Sequence, residues 1–255
     1  MSHRALGRML TAAGTIAGLG LAASPSLAFR PFDGTDATVA APQSIETELG
    51  PLAYVREGHQ RILILPELVL NYGAGSGWEF VIEGRRYLRM TDEQPTPSPR
   101  YDDFDLSVKR MIRVGVLQEK KGPSIATEEA LLLPTSDEKG TGFRGSLIVS
   151  EHFRWMGIHL NAAISRTRAH ETGRFGSAIF EIFDRLTIHP LAELSLERDG
   201  EATSTKGLLV GALWETRERL NMDFAVRTSY ADEHDAEVIA GITFGKHIPH
   251  GPTMP

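Results

Sequence analysis

The chain has 255 residues, 27 Lys and Arg against 33 Asp and Glu, and no cysteine. Without cysteine it has no disulfide, thiolate metal site or lipidated N-terminal cysteine, and a net charge of −6 argues against nucleic acid as a partner. The length suffices for one sizeable domain.

The N-terminus carries Arg4 and Arg8, then an apolar run over 9–23, then small residues at Ser26 and Ala28. These are the three parts of a secretory signal peptide. The run is shorter than the ~20 residues that span a bilayer, so residues 1–28 read as a cleaved leader rather than an anchor. Losing Arg4 and Arg8 with no acid takes the charge from −6 to −8. Residues 29–43 are expected to form a periplasmic N-terminal segment, 44–246 the folded domain and 247–255 a C-terminal tail.

From residue 44 onward the recurrent pattern is alternation with a period of two, broken by Gly, Pro and charged clusters. Strands are expected over 44–55, 62–72, 78–88, 104–112, 124–133, 143–151, 157–167, 175–183, 188–198, 205–214, 220–230 and 237–246. In the second, Ile62, Ile64, Leu68, Leu70 and Tyr72 read onto one face, with Glu67 and Asn71 on the other beside Leu63, Leu65 and Val69. In the third, Trp78, Phe80, Ile82 and Leu88 oppose Glu79, Glu83, Arg85 and Tyr87. Most are near the ~9–11 residues with which a tilted strand crosses hydrocarbon. The count of about twelve is even, as bacterial barrels require.

Short connections at 73–77, 153–156, 184–187 and 215–219 alternate with longer polar ones at 91–102, 134–142 and 168–174. That is the arrangement of a barrel with both termini on the periplasmic side. The connection 114–123 is long for a periplasmic turn. Trp78, Trp155 and Trp214 lie beside short turns, whereas Tyr54, Tyr87, Tyr101 and Tyr230 lie beside long loops, as two membrane-interface girdles would.

The expected fold is therefore all-β: a closed antiparallel up-and-down transmembrane β-barrel in a bacterial outer membrane, with a soluble β-sandwich as the alternative. In hydrocarbon every backbone donor and acceptor must be paired internally, which a sheet achieves only by closing. Lipid then faces one set of alternating positions and a lumen the other. Glu67, Glu83, Arg85, Asp105, Lys109, Glu128, His159, Asn161, Glu181, Glu193, Asp223 and Arg227 fall on the lumen face and are the candidates for setting selectivity. Glu129 opposes the scheme, because strict alternation points it at lipid if Glu128 points inward.

The last strand is apolar at Val238, Ala240, Ile242 and Phe244, which resembles the signal read by the barrel-assembly machinery, except that a tail follows Phe244. Glu48-Leu49-Gly50-Pro51, the run Gly122-Pro123-Ser124-Ile125-Ala126-Thr127-Glu128, Leu131-Leu132-Leu133-Pro134, His159-Leu160-Asn161 and Ala240-Gly241-Ile242-Thr243-Phe244 together resemble the phenol-degradation (MetA-pathway) family of outer-membrane proteins. The resemblance implies a small barrel handling aromatic or other hydrophobic compounds, and brings no catalytic residue.

Two constellations carry enzyme-like residue types. His159 and Asn161 share a face, but no serine stands in the His-x-Ser order of a membrane phospholipase. In Ser150-Glu151-His152 the glutamate alternates away from the other two, which opposes a relay. His247 and His250 in the Gly/Pro-rich tail read as incidental rather than metal-binding. No catalytic residue, metal or cofactor is assigned. The expected role is a passive channel for small solutes with outer-membrane lipid around it; the alternatives are a barrel closed by its own side chains with a structural or interaction role and, behind it, a membrane-embedded lipid hydrolase, whose nucleophile arrangement is missing. N-terminal sequencing of membrane-fraction protein is expected to return Phe29, and a Met1 start would reject the leader.

Overall fold

The computed structural model describes residues 31–57, 60–90, 99–182, 187–217, 220–231 and 234–247. The leader 1–28 and His250 lie outside these. The strands are β1 (Ser44–Glu57), β2 (Gln60–Gly75), β3 (Trp78–Met90), β4 (Pro99–Arg113), β5 (Ser124–Leu132), β6 (Gly142–Phe153), β7 (Met156–Arg166), β8 (Thr172–Ile182), β9 (Ile188–Asp199), β10 (Thr205–Arg217), β11 (Leu220–Tyr230) and β12 (His234–His247). Each pairs with its sequence neighbours, and β12 returns to β1 antiparallel with Ser44 opposite His247. The sheet is thus a closed twelve-stranded barrel with no free edge. No helix among the described residues is long and apolar enough to cross a membrane, which is silent about strands.

Facing follows the period-two rule. Leu147, Leu160, Leu194, Val210 and Phe224 are exposed on the outside, while Ile148, Asn161, Glu193, Leu209 and Ala225 beside them are buried within. Glu129 obeys it too: Glu128 points inward and accepts a hydrogen bond from Ser107 at 2.7 Å, and Glu129 is exposed outside, opposite Val108 and Gly145. No bulge intervenes on either side of it.

The rule is interrupted where a strand gains a residue. The register slips between Leu49 and Leu52 on β1 and between Ile64 and Glu67 on β2, at Pro51 and Pro66. Proline cannot donate to a ladder, so it sits where pairing is already broken. The slip reverses the parity of β2. Ile62 and Ile64 therefore point into the barrel with Glu67, Val69 and Asn71, and not outward with Leu68 and Tyr72 as simple alternation predicts. A third slip, opposite Glu83 and Arg85, places the extra residue on β4, with Asp103 in the left-handed conformation at φ 44°.

Residues 31–43, expected in the periplasm, are instead inside the barrel. Gln43 enters at the end carrying both termini, where its N–H donates to the Gly73 carbonyl at 2.7 Å. The segment then climbs to Pro31, whose carbonyl accepts from Arg227 at 3.1 Å. Gly73 is required for the passage: a Cβ there would lie 2.1 Å from the Ala41 carbonyl oxygen. The long connection 114–123 closes the same end. It forms a 3-10 turn at Val116–Gln118, and Leu117 packs on buried Ala37, Ala126 and Ile148.

The facing generates a test at the middle of β6, where Leu147 points out and Ser146 lines the lumen. Leu147→Arg should lower refolding stability by ~2–4 kcal/mol, the cost of Arg on a lipid face at the midplane. Ser146→Arg should cost far less in the same urea titration in vesicles; equal losses would mean that the facing is wrong.

Candidate functional site: a plugged, acid-rich lumen

An internal segment brings backbone N–H groups with no strand to pair them, so the wall must supply acceptors. Four inward side chains do so. The Glu193 carboxylate takes the amides of Asp33 and Gly34, both at 2.9 Å. Asn161 Oδ1 accepts from Thr35 at 3.1 Å, Ser150 Oγ from Ala37 at 2.9 Å, and Glu79 from Ala40. Lys109 donates to Thr35 Oγ1 at 3.1 Å, and Arg227 pairs with Asp33 at 2.8 Å. Phe32 packs against Leu191, Leu209, Leu213, Ala225 and Ile239, an apolar patch contributed by β9 to β12. Gly34 passes so near the wall that a Cβ would stand 2.5 Å from Ser177 Oγ and 2.6 Å from Asn161 Nδ2.

Beside the plug a cavity of 940 Å³ remains, running from Glu46, Glu48 and Glu79, toward the end carrying the termini, up to Asp137 and Glu237 at the loop end. Glu67, Glu83, Arg85, Asp105, Lys109, Glu128, Asn161 and Arg227 line it. His159, Glu181, Glu193 and Asp223 also point inward but are sealed in the wall beneath the plug, at most 7% exposed. Eighteen Asp and Glu residues line the cavity against seven Lys and Arg, so its sign is negative. The arginines bridge acids: Arg85 meets Asp102 at 3.0 Å and Asp103 at 2.9 Å, Arg144 reaches Asp105 at 3.5 Å, and Arg227 donates to Glu237 at 2.5 Å. The Asp103 bulge is what brings two successive carboxylates to one guanidinium. Val55, Ile62, Ile64 and Tyr87 give the cavity one apolar wall, in which Val55 and the two isoleucines owe their facing to the slips in β1 and β2.

Tyr87 is a correction to the girdle read from sequence. It is 5% exposed and points inward, because it shares the alternation of Glu83 and Arg85, and its hydroxyl donates to Asp137 at 2.5 Å. Trp78, Trp155 and Trp214 are exposed at the end carrying the termini, and Tyr54, Tyr101 and Tyr230 at the other. Trp78 lies under the Arg110 guanidinium at 4.8 Å.

Two connections fold over the mouth of the cavity. In residues 133–141 the Ser136 amide donates to the Tyr101 carbonyl at 2.9 Å, and Asp137 is held by Tyr87, Arg100 and Arg89. The Tyr87 hydrogen bond first, and then the two guanidiniums, hold the Asp137 carboxyl below the usual carboxylate range. Arg168, in the following long connection, donates to the Leu133 carbonyl at 2.7 Å and pairs with Asp105.

A serine and a histidine do meet in the lumen, though not the pair adjacent in sequence. Ser150 on β6 stands opposite His159 on β7, with Oγ 2.8 Å from Nδ1, and Glu181 on β8 lies 3.9 Å from Nε2. Cross-strand register makes this contact, which is invisible to a linear motif. The arrangement anchors the plug rather than a substrate, because the Ala37 amide occupies the serine oxygen and Ser150 is fully buried.

No protein-family profile and no curated protein matches the chain. Among solved structures, an outer-membrane channel from Pseudomonas putida F1 is similar with a TM-score of 0.61 at 9% identity, covering 85% of this chain and all of that one. The KdgM porin is similar at 0.55 and 10% identity over 80% of this chain and 99% of that one. The NanC porin follows at 0.54 and 7%, over 78% and 98%. At these identities the likeness concerns the fold: a closed barrel of the outer-membrane type.

The plug contacts predict the effect of one side chain. Gly34→Val should expel residues 31–40 from the wall without opening the sheet. Limited proteolysis of the folded barrel in detergent should then cut this segment at least ten-fold faster than in the parent protein, with the heat-dependent gel shift intact.

Proposed function

We propose that the protein is an outer-membrane channel for small cationic or neutral solutes, exported through a cleaved leader and assembled with its long connections outside the cell. The observation that carries this reading is the cavity that runs beside the plug to the loop end, with its excess of carboxylates over cations. Charged side chains at close quarters set the field that a passing ion meets. Glu83 and Asp105 stand directly opposite across β3 and β4, and Glu197 lies on the wall of β9, so the field has contributors around the ring. The apolar wall formed by Val55, Ile62, Ile64 and Tyr87 suits the apolar body of an organic solute. That wall agrees with the sequence resemblance to the phenol-degradation (MetA-pathway) family, whose members are associated with aromatic and hydrophobic compounds.

The plug favours a second reading, a sealed barrel with a structural or interaction role. Planar-bilayer recording separates the two. A channel conducts, and conducts several-fold more after deletion of residues 31–42; a sealed barrel is silent in the parent protein. In a salt gradient the reversal potential of the deletion variant should show cation preference, and Glu83→Gln with Glu197→Gln should weaken it. Anion preference would reject the field argument.

A further inference from the structure

The acids inside have a counterpart outside. At the loop end of the wall, Arg56 on β1 and Arg61 on β2 are exposed and directly opposite one another. Their neighbours Val55 and Ile62 point inward, so both guanidiniums face away from the lumen. Arg174 on β8 and Arg198 on β9 are again exposed and directly opposite, flanked by inward Gly173, Phe175 and Glu197; Arg198 lies outside the cavity lining, and Arg174 also borders the cavity mouth, at the crest of the rim. Like charges directly opposite on one sheet face repel. Among the described residues no carboxylate lies within ion-pair distance of any of the four, and no further interaction is assigned to them. Two such pairs on one rim call for an external anion.

The depth of the rim says which anion. Tyr54 sits on the outward face one dyad below Arg56; outward Arg86 is opposite Tyr101, Arg166 opposite Phe143, and Lys206 opposite Tyr230. Aromatic side chains settle at the boundary between hydrocarbon and headgroups. Cations beside them stand at headgroup height, where long side chains extend toward the polar layer. The guanidinium fork matches phosphate oxygens bidentately.

We infer that this outward rim, centred on the Arg56–Arg61 and Arg174–Arg198 pairs, binds the phosphate groups of the glycolipid that forms the outer leaflet of the outer membrane. The inference rests on the outer-membrane reading above. Each arginine pair stands directly opposite across neighbouring strands, so one phosphate shared between them converts a repulsive contact into a bridge and seats the lipid at two places around the wall. The lumen acids lie on the opposite face and take no part.

The test is native mass spectrometry of the detergent-folded protein titrated with bisphosphorylated lipid A, its dephosphorylated counterpart and inorganic phosphate. Bisphosphorylated lipid A should bind at least ten-fold tighter than the dephosphorylated lipid, and the quadruple variant R56Q/R61Q/R174Q/R198Q should lose at least ten-fold. The lumen variant E83Q/E197Q should bind as the parent does. Equal retention of the two lipids, an unaffected quadruple variant, or inorganic phosphate binding as tightly as lipid A would overturn the proposal. If the glutamine variant does not show the gel shift of a folded barrel, the four Arg→Lys changes replace it: loss of the bidentate fork should weaken binding several-fold, and no change would overturn the pair assignment. The outer-membrane reading fails separately, by recovery of the protein in the soluble periplasmic fraction.

Discussion

A peptide segment inside a closed barrel meets the same requirement as the barrel in its membrane: each buried amide needs an acceptor. For the wall the neighbouring strand provides it. For residues 31–40 no strand is left, and Glu193, Asn161, Ser150 and Glu79 take the place of a ladder. An orphaned buried donor costs about 1–3 kcal/mol, so several together outweigh the gain from burying Phe32 alone. The polar composition of the inner wall of β6 to β9 follows from this. Those side chains are where they are because a backbone lies on them, and the space left over is the cavity beside the plug.

Parity decides what that cavity is made of. A strand that slips by one residue moves every later side chain to the other face, and the slips at Pro51 and Pro66 lie side by side on β1 and β2. Below them the inner wall is Glu46, Glu48 and Asn71; above them it is Ala53, Val55, Ile62 and Ile64. One pair of bulges thus turns an acidic wall into an apolar one at mid-height. The bulge at Asp103 works in the other direction, adding a carboxylate beside Arg85 and drawing the guanidinium into a fork between two acids.

Strand number, closure and most facings were legible in the sequence because alternation over ten residues is a strong signal, and twelve repetitions of it agree. The register slips leave a fainter mark, since only Pro51 and Pro66 within the strand patterns signal broken pairing. Tyr87 is ambiguous in sequence for a related reason: it lies close to a long connection, as interface aromatics do, but alternates with Glu83 and Arg85, and the alternation decides its facing. The plug could not be read from residues 29–43 themselves, since their acceptors lie on β3, β6, β7 and β9 and no local pattern records them. A trace existed elsewhere, in Ser150, His159, Asn161 and Ser177, small or polar inward residues beyond what a lumen wall needs. Loop 114–123 looked too long for a turn because its second task, packing Leu117 on Ala37, depends on a segment far away in sequence.

A net charge of −6 conceals a radial separation of charge. Inside, Arg85, Arg144, Arg168 and Arg227 are each engaged with carboxylates, so they relieve crowding among the acids without cancelling their excess. Outside, among the described residues, Arg56, Arg61 and Arg198 face a different solvent and form no ion pair with an acid. The wall between them is one sheet thick, and its outward positions are apolar over the middle of the strands, as Leu147, Leu194 and Phe224 show. Charges of opposite sign this close would attract across a single interface; here the pleat directs them to opposite faces and fixes them by backbone geometry. An inner acid cannot neutralise an outer arginine without a slip in register that would also bring the apolar face into the lumen. Alternation therefore does more than sort apolar from polar residues. It holds two populations of charge apart, and each is left to find its counterion in its own compartment.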